Sequence, residues 1–345
     1  MSARILGICR SFIGPVCIGA ILRLAGSASA QNLFVSDWGV NRIYVVQNTG
    51  GPVSAFASGL ADPKFLAFNR RGGLFEADSG SGNIFEFTPG GVQSTFASGL
   101  NNPTGLAFDS AGNLLVANAG NGDITKITPA GVQSTFATGL MFGSSGPNGL
   151  AFDTAGNLFV ANSASSLGPG HGSITKITPG GVQSTFASGL STPDGLAFNS
   201  AGNLFEADNA TGNIYEFTPD GVRSTFASGL AYPTGLSFNR AGNLFVRNGH
   251  SLVAIAPTGA QSTVATGFGT AEGLAFQPEP DLAAVVTGGV FQITVSMPTP
   301  YYSTIVQTST NLVNWVNLDT NTPPFKLTES ILMTAPHFYR VVLGQ

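Results

Sequence analysis

The sequence predicts an all-β chain: a six-bladed β-propeller of four-stranded antiparallel blades, followed by a small C-terminal β module. Three recurring phrases carry that expectation. VQSTFASGL starts at Val92 and recurs from Val132 (VQSTFATGL), Val182 and Val222 (VRSTFASGL), with weaker copies from Pro52 and Ala260. GLAF follows each copy: FLAF at Phe65, GLAF at Gly105, Gly149, Gly195 and Gly273, and GLSF at Gly235. NLFVA or a variant starts at Asn32, Gly73, Asn113, Asn157, Asn203 and Asn243. Six near-copies of one unit therefore fill residues 32–277. A period of about forty residues marks units that cannot bury their apolar faces alone and must stack on neighbours.

One unit, residues 105–137, justifies each strand in order. It holds four short apolar runs, at 106–108, 113–117, 124–127 and 132–136. The gaps read Asp-Ser-Ala-Gly, Asn-Ala-Gly-Asn-Gly and Thr-Pro-Ala-Gly. Runs of this length bounded by Gly, Pro, Asn and Asp are strands separated by tight turns. No helical apolar period persists over ten residues. The four runs thus become the innermost, second, third and outermost strands of one blade, and such blades repeat about an axis. Both faces of each sheet are expected to pack on neighbours, which accounts for a charged content of only 9%.

The phase of the repeat predicts closure. The repeats open on a second strand at Asn32 and end on an innermost strand at Gly273. Blade one is therefore expected to take one strand from the C-terminal side and three from the N-terminal side. Six innermost and six second strands leave no remainder.

Residues 1–30 read as a signal peptide, a processing segment rather than part of the fold. Arg4 and Arg10 give a basic start, residues 11–22 are mostly apolar, and Ala28-Ser29-Ala30 forms an A-x-A cleavage site before Gln31. Both cysteines, Cys9 and Cys17, lie inside it, so the chain from Gln31 onward has no disulfide, thiolate ligand or cysteine nucleophile. Losing Arg4, Arg10 and Arg23 with the segment moves the formal charge from −4 to −7. An acidic chain without basic clusters is a poor match for nucleic acid. No later run of eighteen apolar residues exists, so no membrane span is expected after signal removal. The expectation is an exported monomer (periplasmic, cell-surface or extracellular) acting on an unidentified ligand or protein partner.

Residues 278–345 differ in texture. Gln277-Pro-Glu-Pro-Asp281 reads as a linker, and strand-like runs follow at 290–297, 302–308, 315–318, 326–327 and 338–343. The region from Tyr301 to Leu318, with the closing HFYRVVLGQ, resembles short C-terminal modules of secreted bacterial repeat proteins. A sorting role and a capping role both remain open.

In a propeller the outermost-to-innermost loops and the second-to-third loops share one face, at the mouth of the central channel. Two rings of residues map there. The residues closing the second strands, Asp37, Asp78, Asn118, Asn162, Asp208 and Asn248, are all Asp or Asn. Their expected role is structural, since such side chains cap tight turns through backbone amides. The second ring varies: Lys64, Thr104, Asn148, Asp194, Thr234 and Glu272 precede the innermost-strand phrases. Asn148, Asp194 and Glu272 carry oxygen donors suited to a hard divalent cation.

The phrases PNGLAFD from Pro147, PDGLAFN from Pro193 and AEGLAF from Ala271 resemble the metal-site phrases of six-bladed gluconolactonases of the senescence-marker protein group, while the wider repeat texture is similar to NHL repeats. The resemblance implies one Ca²⁺ or Zn²⁺ held by Glu272, Asn148 and Asp194, in that circular order. It further implies lactone hydrolysis with Asp194 as ligand and general base, the metal acidifying a water. Thr104 stands where that group carries a further Asn, and no counterpart of its substrate-binding Arg is found. NHL-like propellers mostly bind partners. The repeats here are unusually alike, which favours the binding reading over the hydrolase.

Blade four is ten residues longer than its neighbours, with four extra residues in loop 141–146 and six within 163–172. Both insertions emerge on the mouth face beside Asn148, where loops on a rigid scaffold build binding sites. The second carries His171, which would shuttle protons beside a metal. Glu76 and Glu206 interrupt apolar second strands, with Glu86 and Glu216 on the facing third strands. Neighbouring blades carry Lys126 and Lys176, so inter-blade ion pairs are expected: Lys126 with Glu76 and Glu86, Lys176 with Glu206 and Glu216. His250 and His337 have no context of a serine-hydrolase triad.

Overall fold

Each turn phrase of the repeat makes a turn. Asp109 accepts the amides of Ala111 and Asn113 at 2.9 and 2.8 Å, and Gly112 closes the hairpin with φ 84°. Thr128 accepts the Val132 amide at 3.1 Å, and Gly131 takes φ 80°. Glycine occupies these left-handed positions because it lacks a Cβ. The computed structural model describes residues 3–7, 31–88, 90–141, 143, 146–163, 167–278, 281–287, 290–296, 304–309, 316–321, 325–330 and 338–343.

The repeats form six four-stranded antiparallel sheets. The unit from which the pattern was read becomes strands Pro103–Phe108, Leu114–Asn118, Asp123–Ile127 and Gln133–Ala137. Blade one joins Ala271–Phe276 to Asn32–Asp37, Arg42–Gln47 and Ser54–Ser58, one strand from the C-terminal side and three from the N-terminal side. Innermost strands neighbour one another in blade order, and Ala271–Phe276 touches both Pro233–Phe238 and Pro63–Phe68, so the ring is closed. The chain is a six-bladed β-propeller. Among the described residues there is no α-helix, and none long and apolar enough to cross a membrane.

The core lies between blades. Each of six buried apolar clusters joins residues of two adjacent sheets. Phenylalanines carry much of it. Phe75 packs edge-on to Phe96 of its own outermost strand and to Phe108 of the next blade's innermost strand, both at 5.0 Å. Phe159 and Phe205 repeat the arrangement with Phe186 and Phe198, and with Phe226 and Phe238. Edge-to-face pairs at this spacing add about 0.5–1.5 kcal/mol each beyond their burial. The outermost strands depart from the expectation of two packed faces. Their Gln-Ser-Thr stretches are exposed, and the next blade reaches them through Gln133 to the Ser98 carbonyl (3.1 Å) and Gln183 to the Thr138 carbonyl (2.9 Å). A peripheral strand has only one neighbour, so polar residues suffice there.

A second compact unit contains the C-terminal region. One sheet runs Ala3–Gly7, Phe338–Leu343, Thr304–Ser309, Val316–Asn321, and another Asp281–Thr287, Val290–Ser296, Phe325–Ser330. The expected strand-like runs are present with shifted ends. Asp281, read as the end of a linker, begins a strand instead. Ala3–Gly7, within the segment read as processed, pairs antiparallel with Phe338–Leu343. Residues 8–30, with the cleavage-like Ala28-Ser29-Ala30, and His337 lie outside the described residues.

Candidate ligand site at the channel mouth

The variable ring sits on a bulge that repeats in every blade. Pro193 pairs with Asp208 and Leu196 with Glu206, three steps on the innermost strand against two on the second. The same shift separates Pro63 from Leu66, Pro103 from Leu106, Pro147 from Leu150, Pro233 from Leu236, and Ala271 from Leu274. The extra residue belongs to the pair formed by the ring residue and the Gly after it. A bulge breaks pleat alternation and re-aims a side chain. It also brings the next blade close. A Cβ at Gly195 would run into the Thr234 carbonyl, and one at Gly149 into that of Asp194. Blade two alone carries a side chain here, the buried Phe65.

The Asp/Asn ring holds the loops, as expected. Asp208 accepts the amides of Ser191, Thr192 and Thr211 at 2.8, 3.3 and 3.2 Å. Asp37 accepts Gly39, Gly269 and Thr270 at 3.1, 2.6 and 2.9 Å. Asp78 takes Ala61 and Ser81, Asn118 takes Asn101, and Asn248 takes Ala231. Each side chain thereby ties the loop entering the innermost strand to the end of the second strand. Asn162 is the exception: its Oδ1 has no partner among the described residues, and blade four has the lengthened loop.

The mouth is asymmetric. A cavity of about 370 Å³ opens over blades five, six, one and two, lined by Trp38, Lys64, Asp194, Tyr232, Arg247 and Glu272 among others. Lys64 Nζ bonds Glu272 Oε2 at 3.1 Å and Asp62 Oδ1 at 3.1 Å, and stacks over Trp38 at 4.8 Å. Burial alone would lower the Lys64 pKa, but the Glu272 and Asp62 carboxylates outweigh it and hold it above the usual value. Burial, then the charge of Glu272, pushes the Asp194 carboxyl well up, against Lys64 and Arg247. Glu272 is also raised by burial, with Lys64 the largest opposing influence. Arg247 is 6% exposed, and burial lowers its pKa against Glu272, Asp37 and Asp194. Tyr232 is 68% exposed and holds φ 52°.

Of the three residues read as a metal set, two line this cavity. Asp194 and Glu272 line the cavity; Asn148, in the next blade round from Asp194, is not among the residues that line it. His171 is exposed in its loop, with Nδ1 3.3 Å from the Gly168 carbonyl, and does not line the cavity. Among the described residues, no three His, Cys, Asp or Glu side chains are grouped to hold a metal. The expected lysine pairs are corrected. Lys126 reaches Asp109 of its own blade at 3.6 Å, and Lys176 lies over the Phe159 ring of its own blade at 5.5 Å. Glu76 and Glu206 are fully buried, and neither carboxylate has a hydrogen-bond partner among the described residues. Glu216 instead accepts the Asn203 amide at 2.7 Å. Sequence reading missed Arg247, Trp38 and Tyr232. The signal for Arg247 was present: NLFVR breaks the NLFVA phrase once.

Solved structures share the fold. A chain of the nidogen/laminin complex superposes with TM-score 0.63 at 20% identity, covering 72% of this chain and 98% of that one. A gluconolactonase from Xanthomonas campestris gives TM-score 0.56 at 18% identity, covering 81% and 97%. A protein of unknown function from Bacteroides caccae gives 0.57 at 19% identity, covering 73% and 100%. No protein-family model and no curated protein sequence matches the chain. At this identity the likeness establishes the fold class and leaves the activity to the site.

Proposed function

We propose that the chain is an exported propeller that binds a ligand or partner group at the channel mouth. The carrying observation is the 370 Å³ cavity, where the rings of Trp38 and Tyr232 converge with Lys64, Asp194, Arg247, His250 and Glu272 on one side of the ring. That volume falls in the range of about 300–1,000 Å³ typical of small-molecule sites. The blades facing it diverge from the repeat at the mouth: Lys64, Asp194, Arg247 and Glu272 occupy positions filled elsewhere by Thr, Asn, Ala or Ser. Localised divergence on a scaffold of near-identical units is the pattern of a built site.

A metal-dependent lactonase would need a divalent cation on Asn148, Asp194 and Glu272, and the residues present do not fit one. The Glu272 carboxylate is already bonded to an ammonium, a second cation lines the same cavity in Arg247, and Asn148 does not line it. A cation site of this kind requires deprotonated, uncommitted oxygen ligands.

Thermal-shift measurement of the purified protein against a library of small polar metabolites tests the binding reading. Stabilising compounds should lose their effect in Trp38→Ala and Tyr232→Ala, and keep it in Asp153→Ala on the opposite face. Stabilisation that survives both mouth substitutions would place the site elsewhere. Ca²⁺ and Zn²⁺ are expected to leave the melting temperature unchanged; a rise abolished by Asp194→Ala would restore the metal reading.

A further inference from the structure

Arg247 stands where the repeat places a small residue. The equivalent second-strand positions are Ser36, Ala77, Ala117, Ala161 and Ala207, each 0% exposed. Blade six instead buries a guanidinium, and little in the fold uses it. Nη1 donates one long bond to the Tyr232 carbonyl (3.3 Å), while Nε has no partner among the described residues. A guanidinium offers five donors in a planar fork. Burying a charge without hydrogen bonds is unfavourable, so a position that tolerates alanine retains arginine at a cost to stability.

The other ionised groups around it are already held. Lys64 is bonded to Glu272 and Asp62. Asp37, whose charge acts on Arg247, is saturated by three backbone amides. Burial, then the charge of Glu272, raises the Asp194 pKa above the usual value. His250 lines the same cavity, with Nδ1 2.7 Å from the Gly269 carbonyl and therefore donating to it. The guanidinium is left as a charged group at the mouth without a bonded counter-ion among the described residues. Two rings flank the entrance. Trp38 is 41% exposed, and Tyr232 is 68% exposed in a left-handed conformation unusual for a bulky residue. Asp62 and Asn102 take the same conformation before the innermost-strand prolines of blades two and three, so the turn belongs to the repeat and blade six differs in placing an aromatic ring on it.

We propose that Arg247 is the recognition residue of the channel-mouth cavity and binds the carboxylate of a small organic acid whose apolar body packs on Trp38 and Tyr232. The proposal rests on the reading that the mouth binds a ligand and names the chemistry of that ligand. A planar fork meets a carboxylate through two parallel charge-assisted bonds, and a lysine would not reproduce this.

The test uses three probes of one shape: phenylacetate, phenylacetamide and phenethylamine. Binding is read from Trp38 fluorescence in a Trp315→Phe background, which leaves one tryptophan, and from melting temperature. Phenylacetate should bind saturably and at least tenfold tighter than the amide or the amine. Arg247→Ala should remove about 30-fold or more of that affinity, and Arg247→Lys should recover only part. Because Arg247→Ala restores the residue of blades two to five, it should fold with an unchanged or higher melting temperature. Equal binding of acid and amide, unaltered acid binding in Arg247→Ala, or no binding of any probe at 10 mM would overturn the proposal. So would a lower melting temperature in Arg247→Ala, which would mark a structural arginine. Saturable binding of the amide or the amine without the acid would overturn the carboxylate assignment while leaving the mouth as a ligand site.

Discussion

Arg247 and Glu206 both break the repeat with a buried ionisable side chain, but of the two only Arg247 lines the cavity. Glu206 is 0% exposed, and its oxygens meet no donor among the described residues. Burial, then Asp208 and Asp194, raises its pKa well above the ordinary value, against Arg223 alone. Glu76 is raised by burial, then Asp78 and Asp62, against the Lys64 backbone amide. The sign follows from linkage. The native state binds these protons more tightly than the unfolded chain, so native stability is greatest below the ordinary glutamate pKa, about 4.3. It falls as pH rises from there through the raised native value. Other blades place Val116, Val160 and Val246 at this position. Glu206→Val should therefore stabilise the protein by about 1–4 kcal/mol at neutral pH, and by less at pH 4. Melting curves of both proteins from pH 4 to 8 measure this; a difference that does not grow with pH would mean that Glu206 is ionised and satisfied in the native state.

At the scale of the strand and its loop, the bulge connects sequence to site. Gly195 exists because the next blade's backbone occupies the space of its Cβ. Gly195→Ala should lower stability by about 1–3 kcal/mol through overpacking, whereas Gly180→Ala, with only the Thr178 hydroxyl near at 3.9 Å, should change it little. Chemical denaturation of both variants decides; equal effects would remove the close inter-blade approach. Much of this level was legible beforehand. The turn phrases, four strands per unit and the capping role of Asp208 and its equivalents follow from residue chemistry that acts locally. The bulge was not legible. It depends on pairing register between strands, and no single phrase encodes register. The lysine pairs were misplaced for the same reason: neighbouring blades in sequence do not fix which half of a strand faces which interface.

At the scale of the whole molecule, the phase of the repeat was enough to place the last strand beside the first. That follows from counting alone, since an unpaired innermost strand and an unpaired second strand each leave an edge that the other satisfies. The mouth was only half legible. Its acids stood out as oxygen donors, and their number suggested a cation. Which cation answers them depends on a residue 208 positions away in sequence, Lys64, brought beside Glu272 only by closure. An ion pair with side chains 17% and 13% exposed is screened much less than a surface pair.

A double-mutant cycle on that pair tests closure and the character of the mouth together. Lys64→Met, Glu272→Gln and the double variant are compared with the parent by denaturant unfolding. The single changes should not add, with a coupling of about 0.5–3 kcal/mol between the two positions. Additivity within about 0.3 kcal/mol would show that Lys64 and Glu272 do not meet, and would contradict both the stitched first blade and the site built upon it.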